Sequence, residues 1–327
     1  MAHVDLPLDQ LRSFAPEVAE PDDFDAFWEL TLAQARAAAC DVEVTPVAAG
    51  LAHVDVFDVT FSGFGGHPIK AWYTRPAGVS EPLPCVVEIQ GYGGGRGLAI
   101  EHTLWPSAGY AYLVMDTRGQ GSSWGAGGDT PDPVGSTAAA PGYMTRGILD
   151  PEQYYFRRVI TDAVLAVDAA KSLAGVDASR VAFKGASQGG GVAIAVAGLV
   201  PDLAAVMPDV PFLCHFERAV SMADTMPYTE IRHYLSVHRD VTERVFRTLS
   251  YVDGVNFAKR GLAPSLWSIA LMDDICPPST CFAAHNRYGA RSGGSRKDVT
   301  VYPYNGHEGG GTHQLALQLA FIAEVLG

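Results

Sequence analysis

A chain of 327 residues with 48% hydrophobic side chains can bury a sizeable core, and 36 Asp plus Glu against 23 Lys plus Arg give it a net charge of −13. That sign, without any basic run, excludes nucleic acid and anionic membrane as main partners, because both would repel it. No uncharged apolar stretch approaches the roughly 20 residues that span a bilayer, and MAHVDLPLDQL lacks the basic-then-apolar order of a secretion signal, so a cytoplasmic protein is expected.

In chain order, residues 22 to 40, DDFDAFWELTLAQARAAAC, predict an amphipathic helix. Asp22 and Asp23 suit its first turn, and Phe24, Phe27, Trp28 and Leu30 form the apolar stripe. Between 53 and 75, VDVFDVTF and IKAWYT flank the break SGFGGHP, which reads as a hairpin. From residue 84 the period changes. CVVEI, AYLVMD, RVAF, AAVMPDV, LWSIALMD and VTVYPY are runs of strand length without clean alternation, as for strands buried on both faces. Helical segments lie between them, so an α/β protein with a mainly parallel sheet flanked by helices is predicted. Residues 155 to 173, with Val159, Ile160, Ala163, Val164 and Val167 on one face, supply a crossover helix.

Two insertions interrupt the plan. One is a Gly/Pro-rich loop from about 119 to 153, after the fourth predicted strand; the other is a helical stretch from about 212 to 262, after the sixth. With no linker or repeat, residues 1–327 read as a single domain. The five cysteines, Cys40, Cys85, Cys214, Cys276 and Cys281, are odd in number and lack zinc-site spacing, so they read as reduced core or wall residues.

FKGASQGGG, residues 183 to 191, carries the pattern G-x-S-x-G around Ser187, directly after a predicted strand and before the helical GGGVAIAVAGLV. In that context the pattern is a nucleophile elbow: small neighbours let the backbone turn sharply and hold the hydroxyl out, beside the positive end of the next helix. Alone, the same pattern also fits a helix cap with packing glycines. A serine nucleophile needs a histidine base held by a carboxylate, and the elbow predicts the order Ser, acid, His. Only His307 and His313 follow the last predicted strand. His307 lies in the glycine-bounded loop YPYNGHEGGG, whereas His313 opens the final helix as a cap or surface residue. For the acid, Asp273 ends an apolar run and precedes ICPPST, whose Pro277 and Pro278 stiffen the loop; it ranks above Asp209, with Asp274 third.

The oxyanion requires two backbone N–H donors. The elbow supplies Gln188, and the loop Gln90-Gly91-Tyr92-Gly93-Gly94-Gly95 supplies Tyr92. A dinucleotide reading of that loop, with Asp116 as the ribose acid, fails because Arg96 stands at the third glycine position.

These residues, together with DLPLDQL, DFDAFWE, GYGGGRG, MDTRGQGSS, GYMTRGILD, DVPFLCHF, RTLSYVDGVNFA, LMDDICPPST and YPYNGHEGGG, make the chain resemble carbohydrate esterase family 7 over nearly its full length. This is the acetyl xylan esterase and cephalosporin C deacetylase group. The resemblance implies the α/β-hydrolase fold and a triad of Ser187, Asp273 and His307. Oxyanion donors at Tyr92 and Gln188 are implied, with Arg118 and Gln120 buttressing the site. It implies a cytoplasmic homo-hexamer with enclosed sites, the loop from 119 to 153 contributing to the contacts. Gln90 stands where many proteins of the wider fold carry histidine. The expected activity is removal of acetyl groups from small or oligomeric carbohydrates or cephalosporins, with no metal or organic cofactor required. A serine peptidase of the same fold and a non-catalytic binding protein are the alternatives.

Overall fold

The computed structural model describes residues 5–134 and 142–327. Alternating Val54, Val56 and Val59 in β2 (Val54–Ser62) suit a strand with one face buried, and β2 pairs antiparallel with β3 (Pro68–Pro76). Gly65 and Gly66, at φ 68° and 75°, take the chain around between them, so the SGFGGHP break is a hairpin turn. The β-like runs that follow become β4 (Leu83–Ile89), β5 (Ala111–Met115), β6 (Val176–Ala186), β7 (Ala205–Asp209), β8 (Ser265–Ala270) and β9 (Lys297–Tyr302). All of their mutual pairings are parallel.

Sequence reasoning missed β1 (Glu43–Pro46), which pairs antiparallel with β2 at the sheet edge. All four of its residues are exposed and one is proline, so it carries no apolar signal. Its presence moves every predicted strand up by one in a sheet ordered β1-β2-β3-β5-β4-β6-β7-β8-β9.

The helices are α1 (Leu8–Leu11), α2 (Phe24–Ala37), α3 (Leu104–Ser107), α4 (Tyr155–Ser172), α5 (Gln188–Leu199), α6 (Phe216–Met222), α7 (Tyr228–Val237), α8 (Thr242–Ser250), α9 (Gly254–Ala258), α10 (Pro278–Arg287) and α11 (Gly311–Leu326). β5, β7 and β8 are buried on both faces and β4 and β6 over part of their length, whereas the edge strand β9 has no buried residue. Val87, Leu113, Phe183 and Val206 pack toward α2, α4 and α5, whereas Val86, Val114, Ala182 and Met207 pack toward Trp105 of α3 and Phe321 and Ile322 of α11. The arrangement is the α/β-hydrolase fold expected from the sequence.

The crossover helix α4 is buried nearly all round, including Arg157, Arg158 and Asp162. In α2 the stripe is Phe24, Trp28, Leu32 and Ala35, and Leu30 faces solvent with 58% exposure, contrary to expectation. The predicted helical insertion holds α6 to α9, between β7 and β8. The described parts of the loop from 119 to 153 contain no helix or strand, and its 135–141 segment lies outside the described residues. No described helix is long and apolar enough to cross a membrane.

Candidate active site

Ser187 sits between β6 and α5 at φ 57°, a conformation costly for any side-chain-bearing residue and sustained here by three backbone hydrogen bonds. Its N–H donates to the Asp209 carbonyl at 3.0 Å, and its carbonyl accepts from Gly191 at 3.0 Å and Phe212 at 2.9 Å. The surrounding glycines are required by space. A Cβ on Gly189 would lie 2.3 Å from the Ile89 carbonyl oxygen, and one on Gly191 2.1 Å from that of Phe212. Glycine density here lets α5 press against two neighbouring segments while the serine turns outward.

His307 reaches the site from the loop between β9 and α11. Its Nδ1 stands 2.9 Å from Asp273 Oδ2, and the other carboxylate oxygen, Oδ1, accepts the N–H groups of Ile275 and Cys276, both at 2.9 Å. The Asp273 carboxylate is buried and fully oriented, which fixes the imidazole tautomer that keeps Nε2 free to accept a proton. Asp209 does not touch His307; its Oδ2 accepts Gln318 Nε2 at 2.6 Å. Asp274 and His313 are exposed.

The N–H groups of Tyr92 and Gln188 make no hydrogen bond to any described residue. Gln188 is the first residue of α5, and the Tyr92 loop lies against the elbow: a Cβ on Gly91 would be 3.8 Å from Ser187 Cβ. Gln120 ties the two together. Its Oε1 accepts from Gly93 N at 2.7 Å, while its Nε2 donates to Gln188 Oε1 at 2.8 Å and to the Tyr155 hydroxyl at 3.0 Å. Gln188 Nε2 in turn donates to the Gln90 carbonyl at 3.2 Å. Arg118 lies outside the cavity, fully buried, with Nε and Nη2 on the two oxygens of Asp162 at 2.6 and 2.7 Å. Asp116, the rejected ribose acid, is occupied by the N–H groups of Arg96, Asp129 and Thr130.

The Tyr92 phenol is directed away from chemistry. It donates to Glu230 Oε1 at 2.7 Å and accepts from Tyr143 N at 2.5 Å, and burial raises its pKa, so it stays protonated. Burial also raises the pKa of Glu230, against the hydrogen bonds from Tyr92 and Met144 N. Tyr92→Phe is therefore expected to keep turnover within about tenfold while costing about 1–3 kcal/mol of stability, because Glu230 loses a buried donor. Tyr92→Pro deletes the N–H and is expected to lower kcat by about 10²- to 10³-fold. Steady-state kinetics with thermal denaturation distinguishes the two; a large kcat loss in the Phe variant would make the phenol catalytic.

Ser187, His307, Tyr92, Trp124, Met226, Pro227 and Ile275 line one cavity of about 380 Å³. Trp124, half exposed, donates its indole N–H to the Tyr92 carbonyl at 2.8 Å. A Cβ on Gly94 would lie 2.3 Å from that ring, so the glycine loop makes room for it. Sequence reasoning passed over Trp124, although an aromatic directly after RGQGSS was a signal within reach. Glu230, Met226 and Pro227 carry no local signal.

Among the described residues one group has metal-ligand potential: Asp273, Cys276 and His307, whose ligand atoms lie within 4.8 Å of one another. The residues suit a metal poorly. Asp273 is committed to His307, and burial first, then the Asp273 charge, pushes the Cys276 thiol well above its ordinary pKa, so the thiolate needed for ligation is disfavoured. All five cysteines are free, Cys40 exposed and the rest buried.

The family model for acetyl xylan esterase (AXE1) matches residues 1–325. The chain belongs to the acetyl xylan esterase family. It is similar to the acetyl xylan esterase from Paenibacillus sp. R4, with 40% identity and a TM-score of 0.91 over 98% of this chain and 100% of that one. Acetyl xylan esterase 1 from Thermoanaerobacterium sp. JW/SL YS485 is 32% identical, with a TM-score of 0.89 over 99% and 100% of the two chains. Acetyl esterase Axe7A of Xylanibacter ruminicola is 27% identical over 318 residues, 90% of this chain; the chain spans 66% of that relative's length. Family membership puts this domain among the carboxylic ester hydrolases.

Proposed function

We propose that the protein is a serine esterase that removes acetyl groups from small or oligomeric acetylated carbohydrates, xylooligosaccharides first, and from cephalosporin C-type acetyl esters. The observation that carries this reading is the pair of uncommitted N–H groups, Tyr92 and Gln188, beside Ser187 in the cavity that His307 lines. Ser187 Oγ attacks the acetyl carbonyl while His307 Nε2 takes its proton, and Asp273 holds the ring and stabilises the imidazolium. Negative charge moves onto the carbonyl oxygen, which receives the two N–H groups and the positive end of α5. His307 returns the proton to the departing sugar oxygen, leaving acetyl on Ser187. Water, deprotonated by the same histidine, then releases acetate. Gln120 and Arg118 hold the oxyanion loop and its surroundings without touching the reacting atoms.

Substrate size follows from the walls. Ile275, Met226 and Pro227 give the cavity an apolar wall suited to a short acyl chain, and the exposed indole of Trp124 offers a flat face to a pyranose. Where space allows, each added methylene gains about 0.8 kcal/mol. A fall in kcat/KM from acetyl to butyryl esters is therefore expected as the sign of a closed acyl end. Acetylated xylooligosaccharides should be hydrolysed much faster per acetyl group than intact acetyl xylan, and cephalosporin C should be deacetylated. The reading includes a homo-hexamer, consistent with three large apolar side chains, Leu98, Ile100 and Leu104, exposed on one short segment. Rates across this ester panel, with light scattering, test it. Equal rates on polymer and oligomer, or a fully active monomer, would overturn the enclosed site, and aminoacyl p-nitroanilide turnover would favour a peptidase.

A further inference from the structure

The geometry points to Asp209 as a positioning residue that sets the Ser187 elbow and the His307 loop relative to each other. This rests on the proposed roles of Ser187 and His307 but adds a residue outside the triad. Through its backbone, Asp209 holds the nucleophile: its carbonyl accepts the Ser187 N–H at 3.0 Å. Through its side chain it holds the element that follows the base, because Oδ2 accepts Gln318 Nε2 at 2.6 Å and Gln318 belongs to α11, which begins at Gly311. The loop itself presses on the same place. A Cβ on Gly309 would lie 2.9 Å from Val210 Cγ1 and 3.0 Å from Ser268 Oγ. One on Gly310 would lie 2.1 Å from the Tyr302 ring, whose hydroxyl donates to Gln314 Oε1 at 3.0 Å. A single residue thus touches Ser187 directly and, through Gln318, the helix that follows the His307 loop, and it does not line the cavity.

The cluster is poorly explained as a stability device. Asp209 Oδ1, Ser268 Oγ, Gln314 Nε2 and Gln318 Oε1 are all buried without a hydrogen-bond partner among the described residues, and Ser268 and Gln314 face the carboxyl short of good geometry. Such atoms cost stability wherever an apolar side chain would serve. Burial pushes the Asp209 carboxyl up to about 6, against Lys184 of β6, Ser268 of β8, and Gln318 and Gln314 of α11; Tyr302 of β9 faces it as well. An acid disfavoured in its charged form, beside two amides that each leave one buried atom unpaired, fits a role in placement better than one in holding the fold together.

The test compares Asp209→Ala, Asp209→Asn, Gln318→Leu and the Asp209→Ala/Gln318→Leu double variant by kcat and KM on p-nitrophenyl acetate, by the rate of fluorophosphonate labelling, and by Tm. A misplacement of about 1 Å costs about 10²-fold, so a partial loosening should lower kcat and labelling rate by about 10- to 30-fold with KM within about threefold. Asp209→Ala and Gln318→Leu should each show this, and the double variant should be little worse than either, since both break one link. Asp209→Asn keeps an acceptor for Gln318 and should stay within about threefold of the parent. Parent-like kcat and labelling in Asp209→Ala, or losses that multiply in the double variant, would overturn the inference; should Asp209→Ala not fold, Gln318→Leu decides by the same criterion. A parent that is not labelled at Ser187 would overturn the underlying catalytic reading instead.

Discussion

Ser187→Ala is expected to remain folded and to lose about 10³-fold or more of its turnover on p-nitrophenyl acetate. The backbone bonds that fix the elbow, from Ser187 N to Asp209 and from Gly191 and Phe212 to the Ser187 carbonyl, do not involve the hydroxyl. Alanine bears the same φ strain as serine at this position, and no hydrogen bond of good geometry is lost. Folding stability should therefore stay close to the parent's while the attacking oxygen disappears. The oxyanion donors and the cavity walls would remain, which is why some acceleration over water should persist. A fluorophosphonate should label the parent once per chain and the variant not at all. Near-parental turnover with a parental melting curve would remove Ser187 from the mechanism.

The elbow was legible because its physics is local. A sharp turn between a buried strand and a helix that packs within van der Waals contact of its neighbours demands small residues on either side, and glycine records that demand in the sequence. The parallel strands were legible for a related reason: burial on both faces makes the run mostly apolar instead of alternating, as in Val86 and Val87, which face opposite cores. β1 lacks that signature, since it owes its existence to β2 and buries none of its residues.

Sequence separation limited the rest. Tyr92 and Glu230 are 138 residues apart, and Asp209 and Gln318 are 109 apart; each pair is made only by the finished fold. The expected acid illustrates the boundary. Asp209 and Asp273 both stand at carboxyl ends of parallel strands, where acids of this fold occur, and the prolines after Asp273 favour it without showing which carboxylate meets the histidine. The difference lies in where the chain goes next. After Asp273 it turns so that two N–H groups grip one carboxylate oxygen and leave the other for His307, whereas after Asp209 it passes through Val210 at φ 36°, with the carboxyl under α11.

Asp273→Asn is expected to cost about 10³- to 10⁴-fold in kcat, with Asp274→Asn within about twofold and Asp209→Asn within about threefold. The size of the first effect follows from which way the new amide must sit. Ile275 N and Cys276 N both donate to Oδ1, so the amide oxygen stays there, because an NH₂ group in that place would face two donors. The NH₂ is then forced toward His307 Nδ1, which lies 2.9 Å from the present Oδ2 and must become an acceptor. The ring proton moves to Nε2, the nitrogen that has to receive the Ser187 proton, and the base is disabled without any displacement of its ring. Substrate contacts are untouched, so KM should change little. Nitrogen-15 NMR of the imidazole should report the switched tautomer directly. A mild Asp273→Asn variant beside a severely impaired Asp209→Asn would place the catalytic acid on β7, and an unchanged tautomer with a large kcat loss would mean that charge alone, rather than ring orientation, is what Asp273 supplies.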